Sequence, residues 1–349
     1  MIERKDKRTD TYKASGVDID AGQEAVRLMR GSIQSTWDDG IRGRFGAFAG
    51  LYDASSRMES GDVLGMTIDG VGTKLKVAVM CGRYDSVGKD IVNHCTDDLL
   101  VQRVRPMLFA DYFASSVLSP EVVAEAVAGM AEACRVLGCN LIAGETAEMP
   151  GVYSEGEIDL VGCMLGVARR SDIEDVHPVS TGDVLLGLPS TGLHTNGYSL
   201  ARHLLFERAG YSVDTHLDDL GCTVGEELLK VHKEYFTLLE PHLGEKRIHA
   251  LAHITGGGLI DNMARVLPET CDAVIDKSSW ETPAVFSLLQ SLGSLPDHEA
   301  YRALNMGIGM VIVADAGIES ELTADLRSRG AEPITIGAVR DGDGKVVVG

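Results

Sequence analysis

The chain has no apolar run near the ~18 residues that a bilayer crossing needs. Its first eight residues, Met1 to Arg8, carry charge with no apolar segment behind them. The sequence therefore predicts no membrane-spanning helix, no secretory signal, a frayed N-terminal tail and a cytoplasmic location. Cysteine is sparse, at seven residues, and no two form a Cys-x-x-Cys pair. Most sit within apolar patterns and read as small buried hydrophobes in a reducing compartment, not as a disulfide framework. Positive charge is also short: 32 Lys and Arg stand against 52 Asp and Glu, a net charge of −20. That argues against nucleic acid or an anionic membrane as partner. A phosphorylated ligand would need a local exception, from metal ions, a few basic residues or backbone N–H groups aimed at the anion.

The 349 residues suffice for two domains with sizeable cores. Strand-like runs occur at Val63–Ile68, Met107–Phe113, Cys139–Ala143, Ile158–Val167, Val184–Leu188, Ala250–Ile254 and Gly309–Val313. Helical patterns alternate with them, which predicts an α/β architecture. The clearest helix spans Pro120–Leu137. Ser119 is placed to cap it, Pro120 suits its first position and Gly138 its stop. The polar stretch Arg170–Asp183 predicts a boundary between residues 1–170 and 171–349.

Five segments combine residues able to do chemistry. Asp69-Gly70-Val71-Gly72-Thr73-Lys74 follows the first strand and offers a carboxylate, flexible glycines, a hydroxyl and an ammonium. It is not a Walker A loop, because Leu75 follows the lysine. A helix expected over Ser86–Val101 sets Asp90, His94 and Asp98 at i, i+4, i+8, and Asp90, Asn93 and Asp97 at i, i+3, i+7. A solvated face explains such a pattern equally well. However, Asp97 and Asp98 lie late in the helix, where negative charge opposes the macrodipole by ~0.3–1 kcal/mol. Glu145 and Glu148 follow the Cys139–Ala143 strand, at a common ligand position in α/β proteins, or simply occupy a surface turn. Ser190 to Gly197 brings hydroxyls, His194 and Asn196 to a loop before a helix expected at Tyr198–Ala209. His194 is a candidate general acid or base there. Thr255-Gly256-Gly257-Gly258 precedes a helix at Leu259–Val266 and is either a phosphate cradle or a tight turn.

Six stretches, in order along nearly the whole chain, resemble the phosphoribosylformylglycinamidine cyclo-ligase (AIR synthetase) family. They are Gly16 to Gly22, Asp69 to Leu75, Gly144 to Gly151, Gly192 to Ser199, His253 to Gly258 and Asn305 to Met310. Three departures stand out. Asp97 occupies a position where the family commonly has Asn, Ala143 replaces the first Gly of a Gly-Gly-Glu, and Arg103 and Arg105 fall in a segment usually of Gly-Ala-Glu-Pro character.

The resemblance implies two α/β domains, the N-terminal one for ATP binding and dimerisation through a shared β-barrel, and the C-terminal one contributing substrate loops. It implies that formylglycinamidine ribonucleotide and ATP give aminoimidazole ribonucleotide, ADP and phosphate, in purine biosynthesis. Asp69, Asp98 and Glu145 would hold Mg²⁺ and ATP, with Gly70, Gly72, Thr73 and Lys74 at the phosphates. The segment Gly43–Gly50 would lie near the nucleotide. His194, Asn196, Thr255, Gly256, Gly257 and Gly258 would face the ribonucleotide, with Lys74 and His194 catalytic. Asp98→Asn and Lys74→Ala are both expected to stop turnover and spare the fold, on the view that both side chains are partly solvated. Two rivals remain: a kinase of the same superfamily, which would release no free phosphate, and a nucleotide-binding accessory protein without turnover.

Overall fold

The computed structural model describes residues 19–42, 45 and 50–349. The stretch 16–18 and most of 43–49 fall outside the described residues. Two open sheets, one from each half of the chain, organise the fold. The first contains β1 (Val63–Gly70), β2 (Arg105–Ser115), β3 (Asn140–Glu148) and β4 (Ile158–Ala168), in the order β1-β4-β2-β3. Only β2 and β3 run parallel.

The helices α1 (Ile19–Gln34), α2 (Lys74–Cys81), α3 (Asp85–Leu100) and α4 (Pro120–Leu137) belong to this half. Helix α3 packs on the sheet, and α4 on α3. Their backbones approach closely because each contributes a glycine to the crossing. A Cβ on Gly88 would lie 2.0 Å from Ala126 O, and one on Gly129 2.0 Å from Asp85 O. Helix α4 has the expected bounds, with Gly138 in the left-handed region at its end. Ser119 differs from expectation: its hydroxyl turns to Glu121 and makes no side-chain cap.

The second sheet contains β5 (Val184–Pro189), β6 (Ile248–His253), β7 (Cys271–Ile275), β8 (Ile308–Ala314), β9 (Ile334–Asp341) and β10 (Val346–Val348). Its order is β6-β8-β5-β9-β7-β10, antiparallel except for β7 with β10. Strand β8 is buried at every residue, which explains its unbroken apolar run. The helix expected at Tyr198–Ala209 is a short α-turn, Tyr198–Arg202, continued as a π-helical turn over His203–Arg208.

Within one chain the first sheet does not close into a barrel, since β1 and β3 are its free edges. One face of it is apolar and open. Leu64, Met66 and Ile68 of β1 are 52–69% exposed there.

Candidate active site

The face of α3 that carries Asp90, Asn93, His94 and Asp97 is not solvated. Asp90 and Asp97 are wholly buried, because a segment of the second half, His232 to Tyr235, lies along the helix. Asp90 Oδ1 accepts the His232 N–H at 2.7 Å and Asp97 Oδ1 the Tyr235 N–H at 2.9 Å. The Asn93 amide donates to the His232 carbonyl. The i, i+3, i+7 pattern thus recognises a strip of backbone. Burial pushes the Asp97 carboxyl well up from its ordinary value, with the Glu234 charge adding to the effect.

Arg103 and Arg105 fasten the same junction. Arg103 has φ +60, a region that costs an L-residue about 1–2 kcal/mol. Its buried guanidinium donates to the carbonyls of Leu243 and Ile248, and charge-assisted bonds of that kind offset the strain. Arg105 donates to Asp172 at 3.0 Å.

Asp69 and Asp98 come together. Both carboxylates approach His94 Nε2, Asp69 at 2.9 Å and Asp98 at 3.8 Å. Burial works against the charge of Asp69, but the His94 hydrogen bond and charge and the Gly70 N–H outweigh it, leaving the carboxyl below its usual range. Burial likewise opposes a charge on His94, and Asp69 outweighs it, so the imidazole is raised. Both carboxylates remain partly exposed, Asp69 at 39% and Asp98 at 30%. Two accessible carboxylates on one edge fit Mg²⁺, which binds through one or two carboxylates and completes its shell with water and phosphate oxygens.

Glu145 does not join them. It lies inside β3, because the strand continues to Glu148 where the sequence predicts a turn after Ala143. Asp69, Gly162, Asp111 and Gly144 form one row across the sheet. Glu145 is next to the end of that row, roughly 14 Å from Asp69 by three interstrand spacings of ~4.8 Å. Strand alternation also turns it to the opposite face. Gly144 is needed where it stands, since a Cβ there would meet Asp111 Oδ1 at 2.5 Å. Burial pushes that Asp111 carboxyl up to about 7.

Lys74 differs most from expectation. It is wholly buried, and its ammonium pairs with Asp90 Oδ2 at 2.7 Å. It also donates to the carbonyls of Lys230 at 2.7 Å and His194 at 3.2 Å. Burial lowers the lysine and raises the aspartate, and their attraction opposes both shifts. Gly70 ends β1, and Gly72 takes φ +70 in the turn that follows. Thr73 meets Ser199 of the second half, hydroxyl to hydroxyl at 3.1 Å.

His194 is turned inward as well, at 1% exposure and φ +62. Its Nε2 accepts the N–H groups of Thr191 and Lys233, and its ring stacks on His232 with centroids 4.1 Å apart. Burial drives its pKa well down, so the ring is neutral. Asn196 donates to Thr195 and lies beside Gly256. The Asn262 amide clamps the next turn through the carbonyls of Thr255, Gly256 and Gly258. Gly258 has φ +58, and a Cβ there would lie 2.1 Å from Tyr301 O. Asn305 binds Gly192 O and Ser190, so the last motif supports the fourth.

A cluster around these loops was only partly legible. His253 donates from Nδ1 to Asp98 Oδ1 at 2.9 Å. His232 lies between His194 and His253. The sequence gives His232 no signal, since it sits in a loop without periodicity.

The chain matches the family descriptions "AIR synthase related protein, N-terminal domain" over residues 49–168 and "AIR synthase related protein, C-terminal domain" over residues 180–349. A curated relative from Trichlorobacter lovleyi, named phosphoribosylformylglycinamidine cyclo-ligase, is 42% identical over 330 residues, covering 95% of each chain. Among solved structures, thiamine-monophosphate kinase from Stenotrophomonas maltophilia superposes with TM-score 0.66 at 18% identity, over 93% of this chain and 95% of that one. A hydrogenase maturation protein HypE in complex with ATP gives TM-score 0.61 at 17% identity, over 92% and 90%. At those identities the solved structures speak for the fold alone. The two domain matches and the full-length relatives decide the family: the chain belongs to the AIR synthase related proteins and, among them, to the phosphoribosylformylglycinamidine cyclo-ligases.

Proposed function

We infer that the chain closes the imidazole ring of formylglycinamidine ribonucleotide at the expense of ATP, releasing aminoimidazole ribonucleotide, ADP and phosphate. One observation carries the reading beyond family membership. Carboxylates of the first half, Asp69 and Asp98, meet His94 and, from the second half, His253 in one partly open cluster. A direct assay for the imidazole product tests it.

An amide oxygen is a poor leaving group, so the reaction first needs it phosphorylated. The neighbouring amidine nitrogen then attacks the activated carbon within the same molecule. Such a step depends on positioning and charge stabilisation more than on covalent catalysis by the protein. Asp69 and Asp98 would hold Mg²⁺, which offsets phosphate charge in an acidic protein. His94 orients Asp69, and His253 orients Asp98, each through a ring N–H. Lys74 acts as a positioning residue. It ties the Asp69–Lys74 turn to α3 and to the carbonyls of His194 and Lys230. Asn196 and the Thr255–Gly258 turn, held side by side, would receive the ribonucleotide. Residues 1–170 would serve ATP and dimerisation, and 171–349 the substrate.

We also propose a homodimer through the open sheet. Large apolar side chains at 52–69% exposure line β1. Opposite Met66 and Ile68 stand Leu165 and Cys163 of β4, continuing the apolar face. A second copy of the sheet would cover it and close a barrel around both. Light scattering at micromolar concentration should give twice the chain mass, and Met66→Asp should halve it. A wild-type monomer at that concentration would refute the dimer.

A further inference from the structure

We propose that Arg202 is a phosphate-binding residue, whose guanidinium reaches from the second half of the chain to the phosphates of ATP on the Asp69–Lys74 turn. The proposal rests on the assignment of that turn to ATP. It starts from charge. Bound Mg²⁺ offsets only part of the charge of a triphosphate, and the chain around it carries a net −20. The lysines near the turn are engaged elsewhere. Lys74 is paired with Asp90, Lys76 with Glu157 and Lys230 with Glu227. The Lys233 ammonium lies over the Tyr235 ring, 5.5 Å from its centroid.

Arg202 has no such partner. Among the described residues its side chain makes no hydrogen bond and no ion pair. Its Nε is shut off from solvent without an acceptor, while the two terminal nitrogens stay open. A guanidinium drawn partly out of water with no counter-charge is costly. A phosphate at its tip supplies the missing charge.

Helical geometry places that tip. Arg202 ends the short α-turn Tyr198–Arg202, at i+4 from Tyr198 and i+3 from Ser199. It therefore sits between those two on one face, ~5.4 Å further along. That face looks at the Asp69–Lys74 turn. Ser199 Oγ meets Thr73 Oγ1 at 3.1 Å, and the Tyr198 ring centroid lies 5.5 Å from Lys74 Nζ. Helical side chains lean toward the helix N-terminus, so the guanidinium leans back over Ser199 toward Thr73. The support is rigid, because buried Tyr198 donates to Leu228 O at 2.6 Å. The π-helical turn His203–Arg208 follows directly, and such turns concentrate at functional sites. A guanidinium also suits phosphate better than an ammonium does, since its planar fork donates two parallel hydrogen bonds. ATP would thus be held from both halves, by Asp69 and Asp98 through Mg²⁺ and by Arg202 directly.

The test is calorimetric titration of the full-length chain with Mg²⁺–ATP, with adenosine and with formylglycinamidine ribonucleotide, each alone, so that ring closure plays no part. Arg202→Gln and Arg202→Lys are first checked for folding by circular dichroism. Arg202→Gln should weaken Mg²⁺–ATP by at least ~10-fold. Adenosine and the ribonucleotide should bind as to the parent, which a merely structural loss would not allow. Arg202→Lys keeps the charge without the fork and should recover part of the ATP affinity. Parental ATP affinity in the folded variants, equal weakening of adenosine, weakening confined to the ribonucleotide, or a parent chain that does not bind Mg²⁺–ATP would each overturn the proposal. A parent that binds ATP through Arg202 yet forms no imidazole product would support it and refute only the ring-closure reading.

Discussion

Lys74→Ala is expected to lose about 3–5 kcal/mol of folding stability along with turnover, because it leaves the Asp90 carboxylate buried without its cation. Both side chains of the pair are wholly inaccessible. Asp90 also accepts the His232 N–H, so the loss loosens the strip that the second half lays on α3. This reverses the expectation from sequence, which held Lys74 to be partly solvated and its loss harmless to the fold. Denaturant unfolding measures the effect. Lys74→Met combined with Asp90→Asn should recover much of the loss, since no lone charge remains and the amide oxygen still accepts the N–H. A Lys74→Ala variant as stable as the parent would show that the pair does not hold the two halves together.

Asp98→Asn should do the opposite, sparing the fold and removing turnover by ~10²-fold or more. The amide keeps an oxygen for the His253 N–H, and the site is partly open, so stability should change by less than ~1 kcal/mol. What it loses is the charge that holds Mg²⁺ beside Asp69. The half-saturating Mg²⁺ concentration should therefore rise at least ~10-fold, a readout that a merely structural role would not move. Near-normal turnover at saturating ATP and Mg²⁺ would remove Asp98 from the site.

The regular elements were legible because their patterns are local. Helix α4 announces itself by Pro120, Gly138 and one apolar stripe, and β8 by an unbroken apolar run. Strands β7, β9 and β10 were missed: polar or small residues interrupt the apolar pattern of β7 at Asp272 and Ala273 and of β9 at Thr335 and Gly337, and β10 is three residues long. The motifs located the loops but not the direction of their side chains. Asp69 and Asp98 meet as expected, because a strand end and a helix face lie side by side. Lys74 and His194 turn inward instead, because the second half covers α3, a long-range contact without a sequence signature. Glu145 was read as lying beyond its strand, and two more paired residues place it on the other face. Arg103 looked like a simple departure from a glycine-bearing segment. The structure supplies its reason, a left-handed backbone offset by two carbonyls of the second half.

The most direct test is one reaction: purified chain, ATP, Mg²⁺ and formylglycinamidine ribonucleotide, with the imidazole product, ADP and free phosphate all measured. The account predicts the three in equal amounts, with formation of the imidazole abolished in Asp98→Asn. ADP accompanied by a stable phosphorylated ribonucleotide, or ATP bound without turnover, would contradict it.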